Sequence, residues 1–160
     1  MMGTTHLIKV IPVKSKYIFF LIMLMVTANV NAKEQKLSEF LTHFDYEARI
    51  EMKVGASELV GLLQNGKAEL IDIRFKEEYE AWHVGIAKSI PLNELPNRLN
   101  ELVKEKIIVT ACPHKDRAII AMTYLKTKGY KTMYLKDGLI GLAEYLRGDN
   151  AKIFVQQTRK

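Results

Sequence analysis

The sequence predicts an α/β domain, a mostly parallel central sheet with helices on both faces. Three observations carry that reading. From Lys53 onward, short apolar runs alternate with segments whose apolar residues recur at helical spacing, the pattern of strands joined by crossover helices. The clearest unit spans residues 106–129, where Ile107, Ile108 and Val109 form a β-branched strand and Ala118, Ile119, Ala121, Met122 and Leu125 follow with helical period. With 160 residues, 48% of them hydrophobic, and no internal repeat or low-complexity linker, the chain suits one domain with a real core.

The elements follow in order. Residues 1–32 differ in kind from the rest: Lys9, Lys14 and Lys16 without an acidic residue, the apolar run 17–26, then Val30-Asn31-Ala32 as a small-residue exit. This is the layout of a signal peptide, with cleavage expected after Ala32, a periplasmic or secreted product, and only transient contact with the membrane. An uncleaved membrane anchor is the alternative, and the apolar run falls short of the roughly 20 residues that span a bilayer. Residues 33–52 read as an amphipathic helical extension through Leu37, Phe40, Leu41 and Phe44, with Asp45 and Arg49 spaced to pair and the apolar face docked on the domain.

The α/β domain is expected over residues 53–147. Residues 52–54 suit a short edge strand, Ser57 a cap for the helix bearing Leu59, Val60, Leu62 and Leu63, and Asn65-Gly66 its end. Residues 69–73 suit a strand, 75–82 a short helical turn, and 88–90 another strand before Pro91. Pro96 opens a helix with Leu99 and Leu102 facing inward. A βαβ unit follows from the Ile107 strand, a helix from Arg117 and a strand over Thr132–Leu135. Leu139, Leu142, Ala143 and Leu146 make a last helix, and residues 148–160 are read as a tail.

The net charge of +6 belongs partly to the leader. Residues 33–160 hold 21 basic and 18 acidic groups, a balance of +3 with both signs interspersed, which argues against nucleic acid as a partner. His6, His43, His83 and His114 with one cysteine show no metal-ligand spacing, and no dinucleotide or phosphate-loop fingerprint occurs. No metal or cofactor is expected.

That one cysteine, Cys112, stands at the end of the Ile107 strand and opens Cys112-Pro113-His114-Lys115-Asp116-Arg117. It is either a buried apolar residue or a free thiol, and the charged loop that follows favours the thiol, since such a loop does not lie inside a core unpaired. A strand-to-helix loop of this kind turns its amides inward at the positive helix end, where they hold an anion or a thiolate. With Lys115 and Arg117 also close, a depressed thiol pKa is expected. Ligands in open α/β sheets bind beyond the carboxyl ends of strands, and Asp72 and Arg74 close another strand on that rim, where they suit a structural pair.

These segments together resemble the rhodanese sulfurtransferases. The family's Asp-x-Arg strand is matched by Leu70-Ile71-Asp72-Ile73-Arg74, its Gly-His-Ile-Pro-Gly-Ala segment by Trp82-His83-Val84-Gly85-Ile86-Ala87, its cysteine loop by residues 112–117, and its late Gly-Gly by Asp137-Gly138. The resemblance implies the rhodanese-like fold and covalent sulfur transfer. Cys112 attacks the outer sulfur of a small anionic donor such as thiosulfate, carries it as a persulfide, and yields it to a thiol, to a protein sulfur acceptor, or to cyanide. It implies that Pro113, His114, Lys115, Asp116 and Arg117 bind the donor, Arg117 through its planar fork, while His83 supports the loop. Lys115 stands where the family often has glycine, so a positive φ there would be strained, and Pro113 removes one amide from the cradle.

Two other readings share the fold. One is a non-catalytic sulfur carrier or interaction module. The other is a rhodanese-like phosphatase or arsenate reductase, whose loop places five residues between Cys and Arg where this one has four.

Overall fold

The computed structural model describes residues 37–158. The signal peptide expected over residues 1–32, with its cleavage point, and the start of the extension at 33–36 lie outside the described residues. The described chain runs α1 (Leu37–Thr42), α2 (Tyr46–Glu51), β1 (Lys53–Val54), α3 (Ala56–Gln64), β2 (Ala68–Asp72), α4 (Lys76–Ala81) and β3 (Lys88–Ser89). Two 3-10 turns, Leu95–Asn97 and Leu99–Glu101, then lead to β4 (Ile107–Ala111), α5 (Asp116–Thr127), β5 (Thr132–Leu135), α6 (Gly138–Tyr145) and α7 (Asp149–Thr158).

The five strands form one sheet in the order β1-β5-β4-β2-β3, and every pairing is parallel. Successive side chains of a strand point to opposite faces, so β4 divides its residues between two cores. Val109 and Ala111 pack with Leu59 and Val60 of α3, Leu139 and Leu142 of α6, and Phe154 of α7. Ile108 and Cys112 pack with Ala118, Ala121, Met122 and Leu125 of α5, with Leu95 of the first 3-10 turn and with Leu102 just after the second. Both faces of the sheet are therefore covered, as parallel sheets require, and the α/β expectation holds.

Several local expectations do not. The extension is not one helix: it breaks at His43–Asp45, because Asp45 turns its carboxylate onto the Ala48 amide at 2.9 Å and caps α2, in place of the ion pair expected with Arg49. Its apolar face is docked only in part: half-buried Phe40 lines a crevice with Met122 and Lys126 of α5, while neither α1 nor α2 has a buried residue and Leu37 and Leu41 are 52% and 58% exposed. Helix α3 is capped not by Ser57 but by the Asp137 carboxylate, which accepts from the Ala56 amide at 2.7 Å across 81 residues. The helix expected from Pro96 is two 3-10 turns. They still bury Leu95, and Leu102 just after them.

Residues 148–160, read as a tail, hold helix α7, whose Phe154 is only 5% exposed and joins the core shared with α3. No helix among the described residues is long and apolar enough to cross a membrane.

Candidate active site

Strand β4 lies in the middle of the sheet, between β5 and β2, and Cys112 is the first residue beyond its carboxyl end. The loop that follows is anchored by backbone. Leu139 donates its amide to Cys112 O at 2.8 Å and Ile140 donates to Pro113 O at 3.4 Å, so the start of α6 holds the loop's first two carbonyls. Gly138 makes this approach possible. At φ +65° it occupies the left-handed region, and a Cβ there would stand 2.2 Å from Pro113 O and 2.4 Å from His114 O.

Lys115 stands at the N-cap of α5 with φ −154° and ψ −19°, a negative φ, so the strain foreseen for a residue with a Cβ does not arise. Among the described residues no non-glycine has a positive φ.

Cys112 is fully buried, at 0% exposure, while His114, Lys115 and Asp116 are exposed. The two readings of the cysteine are thus both partly met, because the strand end packs into the α5 core before the loop turns outward. Its Sγ–H points to Asp116 Oδ1 at 3.6 Å. Burial pushes the Cys112 thiol up, the Asp116 carboxylate adds to that, and the amides of Ala118, His114 and Arg117 oppose it without prevailing. The expected depressed pKa is corrected accordingly. The physical reason is desolvation by the core, joined by a carboxylate where only cations had been counted.

Arg117 is not open to a donor in this structure. Its Nη1 and Nη2 donate to Glu78 Oε2 and Oε1 at 2.6 and 2.9 Å, and the guanidinium lies 5.9 Å from the Phe75 ring centroid. The pair holds the Glu78 carboxyl below the ordinary carboxylate range, chiefly through the Arg117 hydrogen bonds. Arg117 thereby ties the first turn of α5 to α4 and acts as a brace. Asp116 is likewise held low: burial acts against this, but the amides of Arg117 and of Asp116 itself, together with the Cys112 thiol, outweigh it.

Asp72 and Arg74 lie on the neighbouring strand end, where Ile73 donates to Ala111 O at 3.0 Å and ties the two strand ends together. The pair is buried, at 0% and 1% exposure. Arg74 Nε and Nη2 hold both carboxylate oxygens at 2.6 to 3.0 Å, Nη2 also donates to Trp82 O at 2.8 Å, and the guanidinium stacks 4.3 Å from the Trp82 ring. Exposed His83 donates from Nδ1 to Tyr79 O at 3.0 Å and stacks on Tyr79 at 4.1 Å. The structure therefore gathers Cys112 to Arg117 with Gly138 and Glu78, and sets Asp72 and Arg74 beneath the same rim.

Two of these residues escaped sequence reasoning. Glu78 is one of three glutamates in the span 75–82, and nothing local distinguishes it. Gly138 was matched to a motif, but its close approach to the loop has no sequence signature.

Residues 55–144 match the family model described as a rhodanese-like domain. The chain is 37% identical over 73 residues to "Uncharacterized protein YqhL" of Bacillus subtilis, a match covering 45% of this chain and 58% of that protein. It is 30% identical over 77 residues to a protein named Sulfurtransferase from Allochromatium vinosum, covering 48% of this chain and 72% of that one. Among solved structures, reduced Bacillus anthracis CoADR-RHD superposes with a TM-score of 0.56 at 29% identity, over 62% of this chain and 18% of that chain. The chain thus spans a little over half of YqhL and under a fifth of CoADR-RHD.

Proposed function

This chain belongs to the rhodanese-like domain family, and on that footing we propose that it is a sulfurtransferase working through a Cys112 persulfide. The observation that supports this most is the setting of Cys112: the lone cysteine at the carboxyl end of the central strand, under a loop whose carbonyls are held by the start of α6. Sγ, as thiolate, attacks the outer sulfur of a sulfane donor. The donor's remaining fragment departs with the bonding pair, and the persulfide stays beneath the loop until an acceptor nucleophile removes its outer sulfur. Inward amides of Ala118, His114 and Arg117 stabilise the anionic sulfur. Arg117 and Glu78 keep the loop on α4, and the Asp72–Arg74 pair supports the rim from below. The four-residue spacing between Cys112 and Arg117 continues to favour sulfur over a tetrahedral oxyanion.

The raised thiol pKa also favours the carrier reading, in which Cys112 holds sulfur for a partner and turns over slowly. Sulfide release from thiosulfate plus dithiothreitol, measured across pH 6 to 10, separates the two. The reactive form is the thiolate, and a pKa above the ordinary thiol value of about 8.5 means that its fraction climbs about tenfold per pH unit through neutrality. The rate should therefore rise steadily to at least pH 9. A plateau by pH 7 would contradict the raised pKa, and release no faster than the protein-free blank at every pH would leave the carrier.

A further inference from the structure

Five large apolar side chains of the N-terminal extension stand in solvent. Leu37 and Leu41, one turn apart on α1, are followed by Phe44 at 40% exposure, and Tyr46 and Ile50, one turn apart on α2, are 83% and 64% exposed. Phe40, in edge contact with Phe44 at 5.9 Å, turns the other way, into the crevice beside Met122 and Lys126. Helices of six residues do not hold themselves in water, where about 12–15 residues are needed before an isolated helix is even marginal. Neither α1 nor α2 contributes a buried residue to the domain, and covering the outward stripe would supply the packing they lack.

We propose that this stripe is a self-association surface covered by a second copy of the chain, α1 and α2 of one protomer lying against α1 and α2 of its partner about a two-fold axis. At roughly 100 Å² of exposed surface each, the five side chains offer about 500 Å² per copy and about 1,000 Å² per pair, the floor for a specific protein interface before any polar rim is counted. A two-fold contact is isologous, so the patch must complement itself. Apolar side chains do so without restriction. The flanking charges do so as well: exposed Glu47 and Glu51 share α2 with exposed Arg49, so two facing copies of that helix set a carboxylate of one against the guanidinium of the other.

A lipid surface fits the stripe less well. Residues 37–53 hold four acidic groups and two basic ones, a balance of −2, whereas helices that lie on anionic membranes carry lysine and arginine on their polar face. An area at the lower bound of specific interfaces, with Tyr46 and Phe44 as its aromatic anchors, sets the pair in the micromolar range. Association is therefore concentration-dependent, and so is the order of α1 and α2. The proposal stands independently of the sulfurtransferase reading.

The test is sedimentation velocity of the full chain from about 1 to about 200 µM, beside Leu41→Glu with Ile50→Glu, Tyr46→Lys alone, and Ile50→Leu alone. Wild type should pass from monomer to dimer over that range, and the amides of residues 46–52 should become at least about tenfold better protected from hydrogen exchange at its upper end. The double change should weaken association at least about 100-fold, Tyr46→Lys at least about tenfold, and Ile50→Leu less than about threefold. Tyr46→Lys keeps the test valid should the paired glutamates disturb α2, because that site is 83% exposed and its urea midpoint at low concentration should match wild type. Wild type that stays monomeric at about 200 µM would overturn the proposal; if it then co-sediments with vesicles of phosphatidylcholine and phosphatidylglycerol while the double variant does not, the stripe belongs to a lipid surface. A dimer equally strong in wild type and the double variant would overturn it too, and place the contact on another part of the chain.

Discussion

Gly138→Ala should lower the rate of sulfur transfer by at least about 100-fold and destabilise the domain by roughly 2–4 kcal/mol. The added methyl would meet Pro113 O at 2.2 Å, His114 O at 2.4 Å and His114 Cα at 2.8 Å. All three are backbone atoms of the cysteine loop, so relief comes only by moving the loop or the start of α6. The φ of +65° adds a penalty of about 1–2 kcal/mol for any residue with a Cβ. A shift of about 1 Å in the loop is enough to misplace Sγ and the amides around it for an in-line attack. Gly61→Ala is the control, because a Cβ there meets nothing within 4 Å and alanine suits the interior of α3. Urea unfolding and turnover measured on both variants settle the matter: wild-type turnover in Gly138→Ala would show that the close approach does not govern the loop.

Arg74→Met should cost roughly 3–5 kcal/mol, the range for breaking a buried ion pair from one side. The reason is what remains behind. Asp72 is fully buried, and without Arg74 its carboxylate keeps only the Arg74 backbone amide, at 3.1 Å, as a donor from the present set. Trp82 O loses its donor as well. The pair itself is not the source of net stability, since desolvating two charges offsets most of their attraction. Accordingly the double change Asp72→Leu with Arg74→Met should regain a large part of the loss. Urea midpoints of the single and double variants test this, and a single-variant cost below about 1 kcal/mol would show the pair to be dispensable.

The strands were readable because their signal is local. Thr132–Leu135 appears in the structure with the bounds expected, and the β4 run of Ile107, Ile108 and Val109 is a strand because β-branched residues suit a sheet buried on both faces. The position of Cys112 at the carboxyl end of that strand followed directly. What escaped was set by partners distant in sequence. The cap of α3 comes from Asp137, 81 residues away, so Ser57 was the nearest candidate and the wrong one.

The brace of Arg117 is Glu78, 39 residues away, and without it Arg117 reads as a free anion ligand. The proton state of Cys112 depends on how completely α5 and β4 bury it, a tertiary property that a count of neighbouring cations does not contain. Helix α7 was missed for a different reason: Ile153, Phe154 and Val155 are contiguous and not helically spaced, and only Phe154 is buried.

Intact mass of the reduced protein before and after incubation with a sulfane donor, with Cys112→Ala beside it, bears most directly on persulfide chemistry at Cys112. Wild type should gain one sulfur that dithiothreitol removes, and Cys112→Ala should gain none. A gain shared by the alanine variant, or no gain in folded wild type with a titratable thiol, would contradict a Cys112 persulfide.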